Sequence, residues 1–181
     1  MSETDLAARV RASADRLLEL DPRLAGGNFL GIVLGSGLGA ATEAFEDRLD
    51  IPCSAIPGLL PPSVVGHTGS LCVGRLGGIL IAALRGRVHL YEGHPVESVV
   101  HGVRTLVAAG CRTLLLTNAA GGINPDLRVG QLMAIRDHIN LTGVSPLFGT
   151  EVLALGPRFP DVSRAWDPAL TAALVAAAGR A

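Results

Sequence analysis

The sequence predicts an α/β domain built on a mixed central β-sheet flanked by helices. Three observations carry this expectation. Short apolar runs of strand length occur at residues 29–34 (FLGIVL), 79–84 (ILIAAL) and 113–117 (TLLLT). A helical repeat of apolar residues lies between the last two, and glycine-bearing turns directly follow the strands. Because the runs are apolar on both faces, the sheet is expected to be covered. With 181 residues, 49% of them apolar, and a mean hydropathy of +0.43, residues 1–181 are expected to form a single domain with one core.

The elements follow in chain order. The N-terminal segment SETDLAARVRASADRLLEL places Leu6, Val10, Leu17 and Leu18 on one side of an amphipathic helix, and Ser2 with Asp5 offers a capping box. The strand at 29–34 leads into a glycine turn and then a long loop. From Leu71, LCVGRLGGILIAAL reads as a hairpin turning at Gly77 and Gly78, so the sheet should be mixed. In HPVESVVHGVRTLVAAG, Val96, Val99, Val100, Val103, Leu106 and Val107 keep helical spacing, Pro95 suits the start and Gly110 the end. After the strand at 113–117 come a loop, a further strand, a polar tail and a last helix.

Composition removes several function classes. A net charge of −1 and the lack of any basic run argue against nucleic acid. All 15 basic residues are arginine, so a Walker-type lysine loop and a Schiff base are excluded. Cys53, Cys72 and Cys111 are odd in number and widely spaced, which suits neither a disulfide framework nor a zinc site; reduced core thiols are expected, and no metal. The early acids and interrupted apolar pattern at the N-terminus do not make a signal peptide. A cytoplasmic protein without a membrane or nucleic-acid partner is expected.

The densest chemistry lies in RGRVHLYEGH, residues 85–94, where two arginines, two histidines, a tyrosine and a carboxylate share ten positions of a chain that is only 17% charged. Such a cluster suits an anionic ligand. GSGLG, residues 35–39, follows an apolar strand and could aim backbone amides and the Ser36 hydroxyl at a phosphate. It departs from a dinucleotide fingerprint, with Ala40 at the last glycine position. NAAGG, residues 118–122, would let a flat ring or a phosphate approach the backbone closely, although Asn118 could equally satisfy its own turn. His67, in VGHTGS, is ambiguous when taken alone.

Taken in order, GSGLG, GHTGS, GRVHLYEGH, TNAAGGINPDLRVGQL and DHINLTGVSPL resemble the trimeric purine nucleoside phosphorylase family over residues 29–160. The resemblance implies the nucleoside phosphorylase fold, a homotrimer, and reversible phosphorolysis of purine nucleosides such as inosine and guanosine in purine salvage. It makes Ser36, Arg87, His89 and the backbone amide of Ala119 phosphate ligands, with His67 close by. Tyr91 would contact the ribose, and Glu92 would orient the neighbouring histidine, so that His89 and Glu92 form the catalytic pair. Asn118, Ala120 and Gly121 would belong to the ribose and base pocket. Inorganic phosphate is a co-substrate, and no cofactor is implied.

The implied mechanism is attack of bound phosphate on the anomeric carbon as the glycosidic bond loosens, with oxocarbenium character and no covalent enzyme intermediate. The family's purine-binding glutamate, leaving-group asparagine and second phosphate serine would lie beyond Ala181, so the chain is expected to be a truncated product lacking the C-terminal part. Leu155 stands where many relatives place a phenylalanine that reaches the next subunit's ribose site. Two readings stay open beside the phosphorylase: a non-catalytic phosphate- or nucleoside-binding remnant, and methylthioadenosine phosphorylase. The Gly-Ser-Gly turn speaks against the latter, which usually carries Gly-Thr-Gly there.

Overall fold

A computed structural model describes residues 3–61, 69–149 and 151–179. The expected capping box at Ser2 and the loop histidine His67 lie outside these residues.

The apolar stripe of the first segment forms helix α1, Glu3–Leu20. Leu6, Val10 and Leu17 are buried and Leu18 is half-buried, as the periodicity predicts; Ser13 and Ala14 join that face. A 3-10 turn at Pro22–Gly26, capped by the Asp21 side chain, leads to strand β1, Leu30–Leu34. Strands β3, Ser70–Leu76, and β4, Ile79–Arg85, form the predicted hairpin through Gly77 and Gly78. Helix α2, Val96–Ala108, begins after Pro95 and leads to β5, Thr113–Leu116.

The sheet order is β2-β3-β4-β1-β5, with β2 spanning Glu46–Pro52. β1 runs parallel to both β4 and β5, whereas β3 is antiparallel to β4 and to β2. The sheet is therefore mixed, as expected. The connection from β4 through α2 to β5 passes over β1 and leaves it between two parallel neighbours.

The main core lies on one face of this sheet. Leu71, Val73, Ala82, Leu84 and Val33 pack there with Leu17, Leu24 and Leu106 from the helical layer. Each leucine taken fully out of water contributes about 1.5–3 kcal/mol relative to an exposed one. Leu34, Ile81 and Ala83 form a smaller cluster with Leu30, Ile32 and Phe45. A 3-10 turn at Glu151–Ala154 docks on α1, where Val152 meets Leu6 and Val10. Cys53, Cys72 and Cys111 are buried and free, as predicted.

Three expectations need correction. The stretch read as a long loop contains β2, whose burial is limited to Ile51; a charged edge strand shows little apolar alternation. The further strand expected after the loop that follows residues 113–117 does not form among the described residues. Almost every residue from 118 to 144 is exposed, and this stretch adds no ladder to the open side of β5. Finally, Val107 faces outward at 50% exposure, because α2 buries the face carrying His101, Thr105 and Leu106. The last helix, α3, Pro168–Ala178, is present and capped by Asp167, but none of its residues is buried.

Candidate functional site

Three loops leave the carboxyl ends of three adjacent parallel strands: residues 35–39 after β1, residues 86–92 after β4, and residues 117–121 after β5. Such strand ends are where open α/β sheets receive ligands, because the backbone turns away and leaves a crevice between diverging connections.

The first and third loops are locked together. Thr117 Oγ1 accepts a hydrogen bond from the Gly35 amide at 2.8 Å and donates to the Val33 carbonyl at 2.9 Å. A Cβ at Gly35 would lie 2.8 Å from the Asn118 Cα and 2.9 Å from the Thr117 carbonyl oxygen, so only glycine fits without backbone movement. Ser36 stands exposed beside this junction. Asn118 and Ala119 follow directly on its other side. Asn118 Nδ2 donates to the Ala119 carbonyl at 3.2 Å, so its side chain does satisfy its own turn. Ala119, Ala120 and Gly121 are exposed, and nothing lies within 4 Å of a Cβ built on Gly121. This side of the crevice is open among the described residues.

The second loop orders the histidine cluster. His89 precedes a 3-10 turn, Leu90–Glu92, that closes on Gly93 in the left-handed region. The Glu92 side chain folds back, and its Oε1 accepts from both the His89 backbone N–H and the His89 ring Nδ1, each at 2.7 Å. The carboxylate can only accept, so the hydrogen of this contact sits on Nδ1. Glu92 is nearly buried, with 5% side-chain exposure. Tyr91, itself exposed, stacks on His89 with ring centroids 4.7 Å apart and planes 15° apart. Arg87 is half-buried and makes no hydrogen bond or ion pair among the described residues.

The ten-residue cluster does not act as one unit. Arg85, the last residue of β4, turns towards β2, where its Nη1 lies 3.0 Å from Asp50 Oδ1 and 3.5 Å from Thr42 Oγ1. Arg48 grips the other Asp50 oxygen at 2.6 Å. The Arg48 hydrogen bond, aided by the positive charge of Arg85, holds the Asp50 carboxyl below the usual carboxylate range against the opposing effect of burial. A cleft of about 290 Å³ opens here, walled by Gly35, Gly37, Thr42, Arg48, Arg85 and Gly86. This volume is at the lower end of the roughly 300–1,000 Å³ usual for small-molecule sites. Arg87, His89 and Tyr91 lie outside its walls.

Sequence reasoning missed Thr117, Thr42 and Asp50 as parts of this region, and it placed Arg85 in the anion cluster without its partners. For Thr117 a signal existed: a threonine ending an apolar strand directly before a glycine-rich turn.

A family model described as the phosphorylase superfamily matches residues 29–181. This chain belongs to the phosphorylase superfamily. Its sequence is 43% identical over 142 residues to purine nucleoside phosphorylase 1 of Bacillus subtilis, covering 78% of this chain and 52% of that protein. It is 45% identical over 151 residues to the purine nucleoside phosphorylase of Mycobacterium leprae, covering 81% and 56%. Among solved structures, isoform 2 of purine nucleoside phosphorylase from Schistosoma mansoni, in complex with cytosine and ribose-1-phosphate, superposes with a TM-score of 0.84 at 37% identity. That match covers 96% of this chain and 61% of the other. The S. mansoni enzyme in complex with inosine gives the same TM-score at 34% identity, covering 96% and 60%. The mixed five-stranded sheet of this superfamily member is thus the nucleoside phosphorylase fold. The chain spans about half the length of the curated relatives it matches.

Proposed function

We propose that this chain carries the phosphate and ribose half of a purine nucleoside phosphorylase, acting on nucleosides such as inosine and guanosine in purine salvage. The observation that carries the reading is Arg87, half-buried and with its guanidinium uncommitted among the described residues, two positions before a histidine held by Glu92. A planar guanidinium can bind phosphate through paired charge-assisted hydrogen bonds. Ser36 and the Ala119 amide, joined through the Gly35–Thr117 lock, supply donors of fixed direction, and His67 belongs to the same set by its motif. His89, its ring held by Glu92, stands two positions beyond Arg87 on the same loop.

In this reading a phosphate oxygen forms the new bond to the anomeric carbon as the glycosidic carbon–nitrogen bond breaks. The bonding pair leaves with the purine, which then takes up a proton. The anion lies beside the positive charge developing on the ribose, so positioning and electrostatic stabilisation do the catalytic work. Tyr91, stacked on His89, presents a ring to the sugar. A homotrimer and a cytoplasmic location complete the proposal.

The exposed Ala119, Ala120 and Gly121 favour a second reading, in which the chain binds phosphate or nucleoside without turnover. One pair of measurements separates the two: phosphate affinity by calorimetry, and phosphate-dependent release of hypoxanthine from inosine. Phosphorolysis requires both signals. Phosphate binding without hypoxanthine supports the binding reading, and absence of both overturns the site.

A further inference from the structure

Neither Arg87 nor His89 lines the cleft beside the glycine turn, yet Arg85 in its wall joins the Ser36 turn to the root of the Arg87 loop. Arg85 ends β4 and is separated from Arg87 by Gly86 alone, which has φ 96°. Its side chain is 14% exposed. Nη1 is bound to Asp50 of β2 at 3.0 Å and reaches Thr42 Oγ1 at 3.5 Å. Thr42 is fully buried and donates to the carbonyl of Gly39, the last residue of the glycine turn, at 2.9 Å. Asp50 is in turn clamped by Arg48 through Nε at 3.1 Å and Nη2 at 2.6 Å. One guanidinium thus ties the root of the Arg87 loop to the far end of the Ser36 turn and to the edge strand.

We propose that Arg85 is a positioning residue for the phosphate site, setting the spacing between the Ser36 turn and Arg87 through the Asp50–Arg85–Thr42 bridge. This rests on the phosphate reading given above. The bridge is well suited to the task because it is mostly shielded from water on the arginine side and held from both ends, so its geometry is less easily lost than that of a solvated surface pair. A rival role for Arg85, direct contact with an anion in the cleft, predicts a different response to loss of Asp50.

The test is the affinity of the 181-residue chain for inorganic phosphate, by calorimetry, in Arg85→Gln, Asp50→Asn, the double variant, Thr42→Val and Arg87→Ala. Long-range electrostatics alone predicts opposite signs: removing Arg85's positive charge weakens anion binding, and removing Asp50's negative charge strengthens it. Positioning predicts the same sign. Arg85→Gln and Asp50→Asn should each weaken phosphate about tenfold, with the double variant no worse than either single one. Thr42→Val, which changes no charge, should also weaken it, while the affinity for inosine stays within about twofold in all three singles. Unchanged or tighter phosphate binding by Asp50→Asn would overturn the proposal and point to Arg85 as a direct ligand. Should Arg85→Gln fail to fold, Asp50→Asn decides alone, because the Asp50 side chain is 42% exposed and tolerates an isosteric change. Arg87→Ala separates the two levels: if it keeps wild-type phosphate affinity, the phosphate reading itself fails, whatever the bridge variants do.

Discussion

The Thr117 hydroxyl is shared between Gly35 and Val33, accepting from the amide of the first at 2.8 Å and donating to the carbonyl of the second at 2.9 Å. It continues the β1–β5 pairing one step past the last ladder residues, into the loops that carry Ser36 and Ala119. Gly35→Ala would drive a methyl against the Asn118 backbone. The variant should lose about 1–3 kcal/mol of stability, as overpacking does, and phosphate affinity should fall with it. Urea unfolding together with phosphate calorimetry checks both; a stable, fully binding Gly35→Ala would mean that the two loops are not rigidly joined.

Glu92 holds His89 by ring and backbone at once. Glu92→Gln keeps the shape and removes the charge, so it should cost about tenfold in phosphate affinity, the scale of one hydrogen bond to a charged group. His89→Ala in the Glu92→Gln background should add less than it does alone, because the two side chains work as a unit. Additive losses in a double-mutant cycle would separate them.

His101 provides a pH dependence remote from the site. Its Nε2 lies 2.8 Å from Ser13 Oγ and 3.4 Å from the Pro57 carbonyl, joining α2 to α1. Burial lowers its pKa from 6.5, with the nearby charges of Arg9 and Arg104 adding to that effect and the Pro57 hydrogen bond opposing it. The unfolded chain therefore binds this proton more readily than the folded one. The contribution to stability is fully present above about pH 6.5 and falls as the pH drops below it. Urea midpoints between about pH 5 and 8 should rise with pH, and His101→Gln should flatten the profile. An equally steep profile in the variant would assign the effect elsewhere.

Cys53, Cys72 and Cys111 are buried, and burial raises all three thiols. Thiolate is the reactive form, so a disulfide reagent should modify the native chain slowly and reach all three on denaturation. Rapid modification of one thiol in the native state would locate a region that opens.

The parts of the fold that could be read in advance were those encoded locally. The apolar runs of β1, β4 and β5, the Gly77–Gly78 turn and the Pro95 and Gly110 boundaries of α2 each carry their own signal within a few residues. β2 does not: only Ile51 is buried, and the strand exists because β3 offers it a ladder. The further strand expected after the loop that follows β5 is the converse case: apolar residues such as Ile139 and Leu141 are present but exposed, and among the described residues they pair with no strand. In the site, the glycine turn and the histidine cluster were legible by composition. The division of labour between Arg85 and Arg87 was not. Residues two apart in a strand share a face, so it is the turn at Gly86, φ 96°, after the end of β4, that parts Arg87 from Arg85, and which group Arg85 meets depends on the register of β2, β3 and β4. Thr117 carried a local signal, but its partners Val33 and Gly35 lie far away in sequence and could not be named from it.

The position of β1 between β4 and β5 has a consequence for biosynthesis. Leu30 pairs with Ile81 on one side and Thr113 on the other, so the central strand emerges from the ribosome long before either neighbour exists. At roughly 5–20 residues per second it waits several seconds with both edges unpaired. During that interval α1 is already made, and its stripe of Leu6, Val10 and Leu17 is available to shield the apolar run. Substitutions that loosen α1 should therefore lower the yield of soluble protein during synthesis more than they lower the stability of the finished chain.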